Sequence, residues 1–158
     1  MVGRILRSAD FQRVLGTPPR SRSAHFAAHH VAAWPSVPAK PRAKAAAPEL
    51  STGDAPSCPP VVDESHDGPP QPPLQGRWLG MVVPKKHARR AVTRNLIKRQ
   101  MRALMDSAGA GLPDGLWVLR LKAPFDRKVY TSPASAQLLQ AARDELQLLL
   151  QRALAPRR

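Results

Sequence analysis

Two hydrophobic periods divide this chain. Trp78–Val83 (Trp-Leu-Gly-Met-Val-Val) and Leu116–Leu121 (Leu-Trp-Val-Leu-Arg-Leu) are short, almost unbroken apolar runs, the first closed by Pro84 and the second preceded by Pro113-Asp-Gly115. Runs of this length, rich in branched and aromatic side chains, predict buried strands. Between them the apolar spacing lengthens to three and four: Val92, Thr93, Leu96, Ile97, Met101, Ala103 and Leu104 fall on one arc of a helix predicted over Arg89–Ala108 and closed by Gly109-Ala-Gly111. A last helix is predicted from Ser132, with Pro133 at its first helical position, to Leu154. Its Leu138, Leu139, Ala142, Leu146, Leu149, Leu150 and Ala153 form a core stripe. Near the start, Ser8 is placed to cap a short helix over Ala9–Leu15, with Asp10 in its first turn and Gly16 as its stop. Ser23–Ala33 has the alanines of a helix. However, Phe26, Ala28 and His30 alternate with Ala27, His29 and Val31, which predicts a strand.

Trp34–Gly76 breaks both periods. It carries 11 of the 18 prolines and little to bury beyond Val61-Val62. A structureless stretch of this length inside a domain is expected to be a disordered insertion. The entropy of closing it grows only slowly with length, so one domain can carry it. The expected organisation is a single domain in two parts, 1–33 and 77–155, interrupted by residues 34–76. The order helix, strand, insertion, strand, helix, strand, helix favours a sheet with helices packed on it.

Charge changes the picture most at Lys85–Arg102. Eight of these eighteen residues are Lys or Arg, and none is Asp or Glu. Arg90, Arg94, Lys98 and Arg102 recur every fourth position, with Asn95 and Arg99 beside them. At roughly 100° per residue, Arg94 to Arg99 span an arc of about 140°. Solvated helix faces usually mix signs, because like charges at this spacing destabilise a helix by a few tenths of a kcal/mol each. A polyanion removes that repulsion. The stripe therefore points to nucleic acid, as does the formal charge of +14 over the whole chain.

Other chemistry is sparse. Cys58 is the single cysteine, so no disulfide framework or zinc finger is expected. The histidines His25, His29, His30, His66 and His87 show no metal-ligand spacing. No carboxylates are paired as an acid–base site, and Asp144-Glu145 is expected to face solvent. There is no apolar run of membrane-spanning or signal-peptide length. A cytoplasmic protein with no membrane contact, no catalytic residue and no metal site of its own is expected. Residues of this kind also suit a ribosomal or nucleoid-type binding protein.

The run Leu79-Gly-Met-Val-Val-Pro-Lys-Lys86, followed by Ala91-Val-Thr-Arg-Asn-Leu-Ile-Lys-Arg99 and Arg102, closely resembles the protein subunit of bacterial ribonuclease P. Asp10-Phe-Gln-Arg-Val-Leu15 is similar to that family's first helix. The resemblance implies an α/β (α+β sandwich) domain, ferredoxin-like, with a small sheet and a left-handed βαβ crossover. It implies partnership with a catalytic RNA subunit that removes the 5′ leader from precursor tRNA. Mg²⁺ is expected with the RNA and no cofactor on the protein alone, and no protein partner is required. By position, Lys85, Lys86, Arg89, Arg90, Arg94, Asn95, Lys98, Arg99 and Arg102 are the expected RNA contacts. Phe11, Leu15, Phe26 and His29 are expected to line a leader-binding cleft between the first helix and the sheet. Leu96 departs from the family pattern, standing where a second arginine of an Arg-Asn-Arg segment is expected. Leu15 and His29 replace expected aromatics.

Overall fold

The computed structural model describes residues 2–36 and 75–155. In chain order its elements are β1 (Gly3–Arg4), α1 (Ser8–Leu15), β2 (Ser21–Arg22), β3 (Phe26–Val31), β4 (Arg77–Val82), α2 (Ala91–Ala108), a 3-10 turn (Gly109–Gly111), β5 (Gly115–Leu121) and α3 (Ala136–Leu154). The strands form one mixed sheet in the order β1-β4-β5-β3-β2. β4 and β5 are parallel neighbours joined through α2, because parallel strands need a crossover of helix length. β3 runs antiparallel to β5, with Phe26 opposite Leu121 and Val31 opposite Leu116. This is the sheet with packed helices expected of an α+β, ferredoxin-like domain. Most of the expected insertion, residues 37–74, lies outside the described residues.

β5 is apolar except at the exposed Arg120, because both of its faces are otherwise covered. Leu116 and Val118 pack with Ile5, Val14 and Ala33 on the α1 side. Trp117, Leu119 and Leu121 point the other way, into a larger core with Ile97, Met101 and Met105 of α2 and Ala142, Leu146 and Leu149 of α3. Each fully buried side chain of this size contributes about 1.5–3 kcal/mol. The buried stripe of α2 is narrower than its helical wheel suggests. Val92 is 54% exposed and Ala103 is also exposed, while Leu96 and Leu104 are only partly buried. On α3 every residue of the expected stripe is buried except Leu139, which is half-buried.

Several ends differ from expectation. Arg7, not Ser8, is the N-cap of α1. α2 starts at Ala91, leaving Arg89 and Arg90 in the preceding loop. α3 starts at Ala136 rather than at Pro133, because the Ser135 side chain accepts the Leu138 amide at 3.1 Å and so caps the first turn. β1 and β2 are additions. Each has two residues, too few to carry a period, and exists by pairing with β4 and β3 respectively.

The chain on either side of 37–74 belongs to the folded body. Trp34 lies 5.3 Å from Trp78, ring centre to ring centre. The Ser36 amide and hydroxyl both donate to the carboxylate of Asp10, which is buried in α1. The Gly115 amide donates to the Gly76 carbonyl at 2.9 Å. Gly115 has φ +126°, and a Cβ there would sit 2.4 Å from the Val31 carbonyl oxygen, so only glycine can start β5.

Glu145 is not a solvent-facing acid. Its carboxylate accepts from the Ser23 hydroxyl at 2.6 Å, the His25 amide at 2.5 Å and the His25 ring at 2.7 Å, pinning the β2–β3 turn to α3. Burial works to raise its pKa, but the bonds from Ser23 and His25 outweigh it, so the pKa lies below its ordinary value. A lowered carboxylate pKa means that protonation favours the unfolded chain. The contribution is present above the ordinary glutamate pKa and is lost as pH falls through the lowered value. Glu145→Gln is therefore expected to reduce unfolding free energy by about 2 kcal/mol at neutral pH. In urea titrations the gap between wild type and variant should close as pH falls below the ordinary glutamate range. A gap independent of pH would contradict this account.

Candidate nucleic-acid interface

The cations of the Lys85–Arg102 stretch occupy two structural settings. Lys98, Arg99 and Arg102, with Asn95, lie on the exposed side of α2, opposite the buried Ile97, Met101 and Met105. Lys85, Lys86, Arg89 and Arg90 are exposed on the loop that leads from β4 into α2. That loop is held in shape. Ala88 is buried, the His87 and Ala88 amides both donate to the Pro84 carbonyl at 3.1 Å, and Arg94 closes it from the helix. The Arg94 guanidinium donates through Nη1 to the carbonyls of Ala88 at 3.0 Å and Arg89 at 2.8 Å. Arg94 is half-buried and splints the loop that presents its neighbours. Leu96 packs against the larger core, so the departure at this position leaves the helix's attachment intact.

These cations are not neutralised within the folded body. Among the described residues the ion pairs are His25–Glu145 and Arg77–Asp114, and neither involves the stripe or its loop.

The second candidate surface is the α1 face of the sheet. Phe11, half-buried, lies over Gly80 of β4, where a Cβ would approach its ring to 2.4 Å. Leu15 is half-buried in the same layer, beside Val31, Trp78 and Val82. Past the end of α1, the register lines up Val82, Arg120, Ala27 and Arg22 across four strands. Arg120 and Arg22 are exposed. Neither was singled out from the sequence, although Arg120 is the one charged residue in an otherwise apolar strand.

His29 and Phe26 do not extend this surface equally. His29 is on the α1 face but only 7% exposed, with Nδ1 donating to the Thr17 carbonyl at 3.0 Å. Burial lowers its pKa against the raising effect of that bond, and Arg120 and Arg22 lower it further. It is a neutral tether beside the two arginines. The His87 pKa is also lowered, by desolvation and then by Lys86 and Arg120. The charge of Arg120 thus lowers the pKa of both imidazoles. Phe26 does not line a cleft with Phe11. It is fully buried on the opposite face of the sheet, 5.8 Å from Phe125. The physical reason is strand alternation: positions three apart point to opposite faces.

Among the described residues no group of three or more His, Cys, Asp or Glu is placed to hold a metal ion. Among them, too, no helix is long and apolar enough to cross a membrane.

The family model described as Ribonuclease P matches residues 61–153, more than half of the chain. The Ribonuclease P protein component of Burkholderia pseudomallei strain 1106a is 45% identical over 75 residues, 48% of this chain and 55% of that protein. Those of Paraburkholderia xenovorans and Ralstonia pickettii are 39% identical over 75 residues and 41% identical over 78 residues, each aligned over 54% of its own length. The chain thus spans about half the length of the curated relatives it matches. No solved structure matches it at a significant level.

The contact between Phe11 and Gly80 gives a direct test of the α1 face. Gly80→Ala should destabilise the domain by about 1–3 kcal/mol, because the ring has to move off the sheet. In the Phe11→Ala background the same change should cost less, giving a coupling of about 0.5–3 kcal/mol in denaturant titrations. Additive effects would mean that the ring does not rest on Gly80.

Proposed function

The chain belongs to the ribonuclease P protein family, and we propose that it serves as the RNA-binding protein subunit of a ribonuclease P. In this reading it assists a catalytic RNA subunit in removing the 5′ leader from precursor tRNA. The RNA carries out the hydrolysis and holds the Mg²⁺ ions. The setting is cytoplasmic, and no protein partner is required.

One observation carries this reading above all: a row of exposed cations on a sheet-backed helix and a splinted loop, with no carboxylate partner among the described residues. Lys98, Arg99 and Arg102 are spaced along a sheet-backed helix, so the backbone fixes their spacing before they meet successive phosphates. Lys85, Lys86, Arg89 and Arg90 extend the contact beyond the helix end, and Arg94 fixes the loop while adding its own charge. Neutralising phosphates releases condensed counterions, which makes affinity strongly salt-dependent. The leader follows the α1 face, where Phe11 and Leu15 supply apolar contact and Arg120 and Arg22 supply phosphate contacts. Phe26 has no part in it. Binding the leader rather than the mature tRNA body gives a preference for precursor over product.

Two measurements test the proposal. Precursor-tRNA cleavage at low Mg²⁺ is expected to be efficient only when protein and candidate RNA are mixed; cleavage by protein alone would sink it. For Lys98→Ala/Arg99→Ala/Arg102→Ala, the slope of log affinity against log salt should fall in magnitude by about 2–3, at roughly 0.7–0.9 per lost phosphate contact. An unchanged slope would mean that the stripe does not touch RNA.

A further inference from the structure

We infer that a recess between the loop leading into α2 and the loop after β5 is a separate RNA contact that takes an unpaired nucleotide. The inference rests on the RNA-binding reading above and adds the loop after β5, outside the stripe and the α1 face, to the Lys86–Arg90 loop which that reading already uses.

The recess has a volume of about 740 Å³. Lys86, Arg89 and Arg90 line one wall, and Arg127 and Lys128 line the other. Asp126 is the one carboxylate in the lining, and its Oδ1 is engaged by the Lys128 amide at 2.9 Å. Aromatic rings lie between the walls. Phe125 stacks on His25 with ring centres 4.1 Å apart and planes at 13°, and Tyr130 meets Phe125 edge-on at 5.7 Å.

The arrangement is braced from several sides. His25 is held by Glu145, and Phe125 packs against the buried Phe26. The Thr93 hydroxyl of α2 donates to the Pro133 carbonyl at 2.8 Å, tying the two walls together. The Tyr130 amide donates to the Asp126 carbonyl at 2.9 Å, closing the turn that carries Arg127 and Lys128. The loop after β5 is therefore a built wall.

Cations beside an aromatic platform are the combination that single-stranded nucleic acid selects: the phosphate meets the charges and the base lies on a ring. The recess is the size of a small-ligand pocket, enough for one or two nucleotides. A duplex would reach the wall cations with its backbone, but its bases are stacked inside it and out of reach of Tyr130. Charge alone would suit an acidic peptide, but such a peptide leaves the ring unused.

The test uses the full chain, a fluorescently labelled single-stranded adenylate oligoribonucleotide and a blunt RNA duplex of equal length, with binding read by anisotropy across a salt series. Tyr130→Leu is expected to weaken the single strand about 5- to 150-fold, the loss of one stacked base, with its salt slope and duplex affinity unchanged. Tyr130→Phe should bind like wild type and controls for folding together with the melting temperature. Arg127→Ala/Lys128→Ala should flatten the single-strand slope by about 1.4, the share of two phosphates at roughly 0.7 each. The inference is overturned if Tyr130→Leu affects single strand and duplex equally, if all these variants bind like wild type, or if an acidic oligopeptide competes better than RNA. Failure of the wild-type chain to bind either RNA would instead overturn the RNA-binding reading itself.

Discussion

Ile97, Met101 and Met105 lie along one side of α2, and all three are fully buried between the sheet and α3. Burying three side chains of this size contributes about 5–9 kcal/mol at 1.5–3 kcal/mol each. Repulsion among the outward cations amounts to a few tenths of a kcal/mol per pair. Burial wins by a wide margin, so the rotation of α2 is set by its apolar side. Lys98, Arg99 and Arg102 are turned outward as a consequence. The cationic surface is thus the consequence of a packing decision.

The sheet serves two purposes because β5 is covered on both faces. One face anchors α2 and α3 and thereby the cationic helix. The other carries α1, with Phe11 lying over Gly80, and leaves Arg120 and Arg22 uncovered beyond the helix end. Polar side chains then set the loops that the apolar core cannot. Arg94 holds the loop before α2, Glu145 holds the β2–β3 turn, and Asp10 holds Ser36. Each satisfies buried or half-buried groups that would otherwise be left unpaired. These charged residues hold local structure, whatever else they touch.

Membership of the ribonuclease P protein family and this geometry support each other on independent grounds. The family match bears on what the chain is related to. The cations, with no carboxylate partner among the described residues, bear on what its surface binds. The loop after β5 lies within the matched residues, yet its aromatic and basic lining becomes visible only when Phe125 is seen stacked on His25, from a turn a hundred residues earlier in the chain.

Much of the architecture was determined by the sequence alone. β3, β4, β5, α2 and α3 run for six residues or more, long enough for a period to emerge. Leu96 could be placed on the apolar side of α2 by the same reasoning. Strand alternation also separates Phe26 from His29, and the structure follows that rule rather than the expectation that both line one cleft. Tertiary structure decided what depends on which groups the folded backbone brings together, near or distant in the chain. β1 and β2 exist because β4 and β3 offer unpaired edges. Arg94 becomes a splint because the Ala88 and Arg89 carbonyls come within reach, and Glu145 becomes an anchor because Ser23 and His25 arrive from more than a hundred residues away. The physical reason is the range of the interactions. A hydrophobic period is a local property that a short window of sequence contains. A hydrogen bond or ion pair requires two groups within about 3 Å, and only the closed fold determines which groups meet.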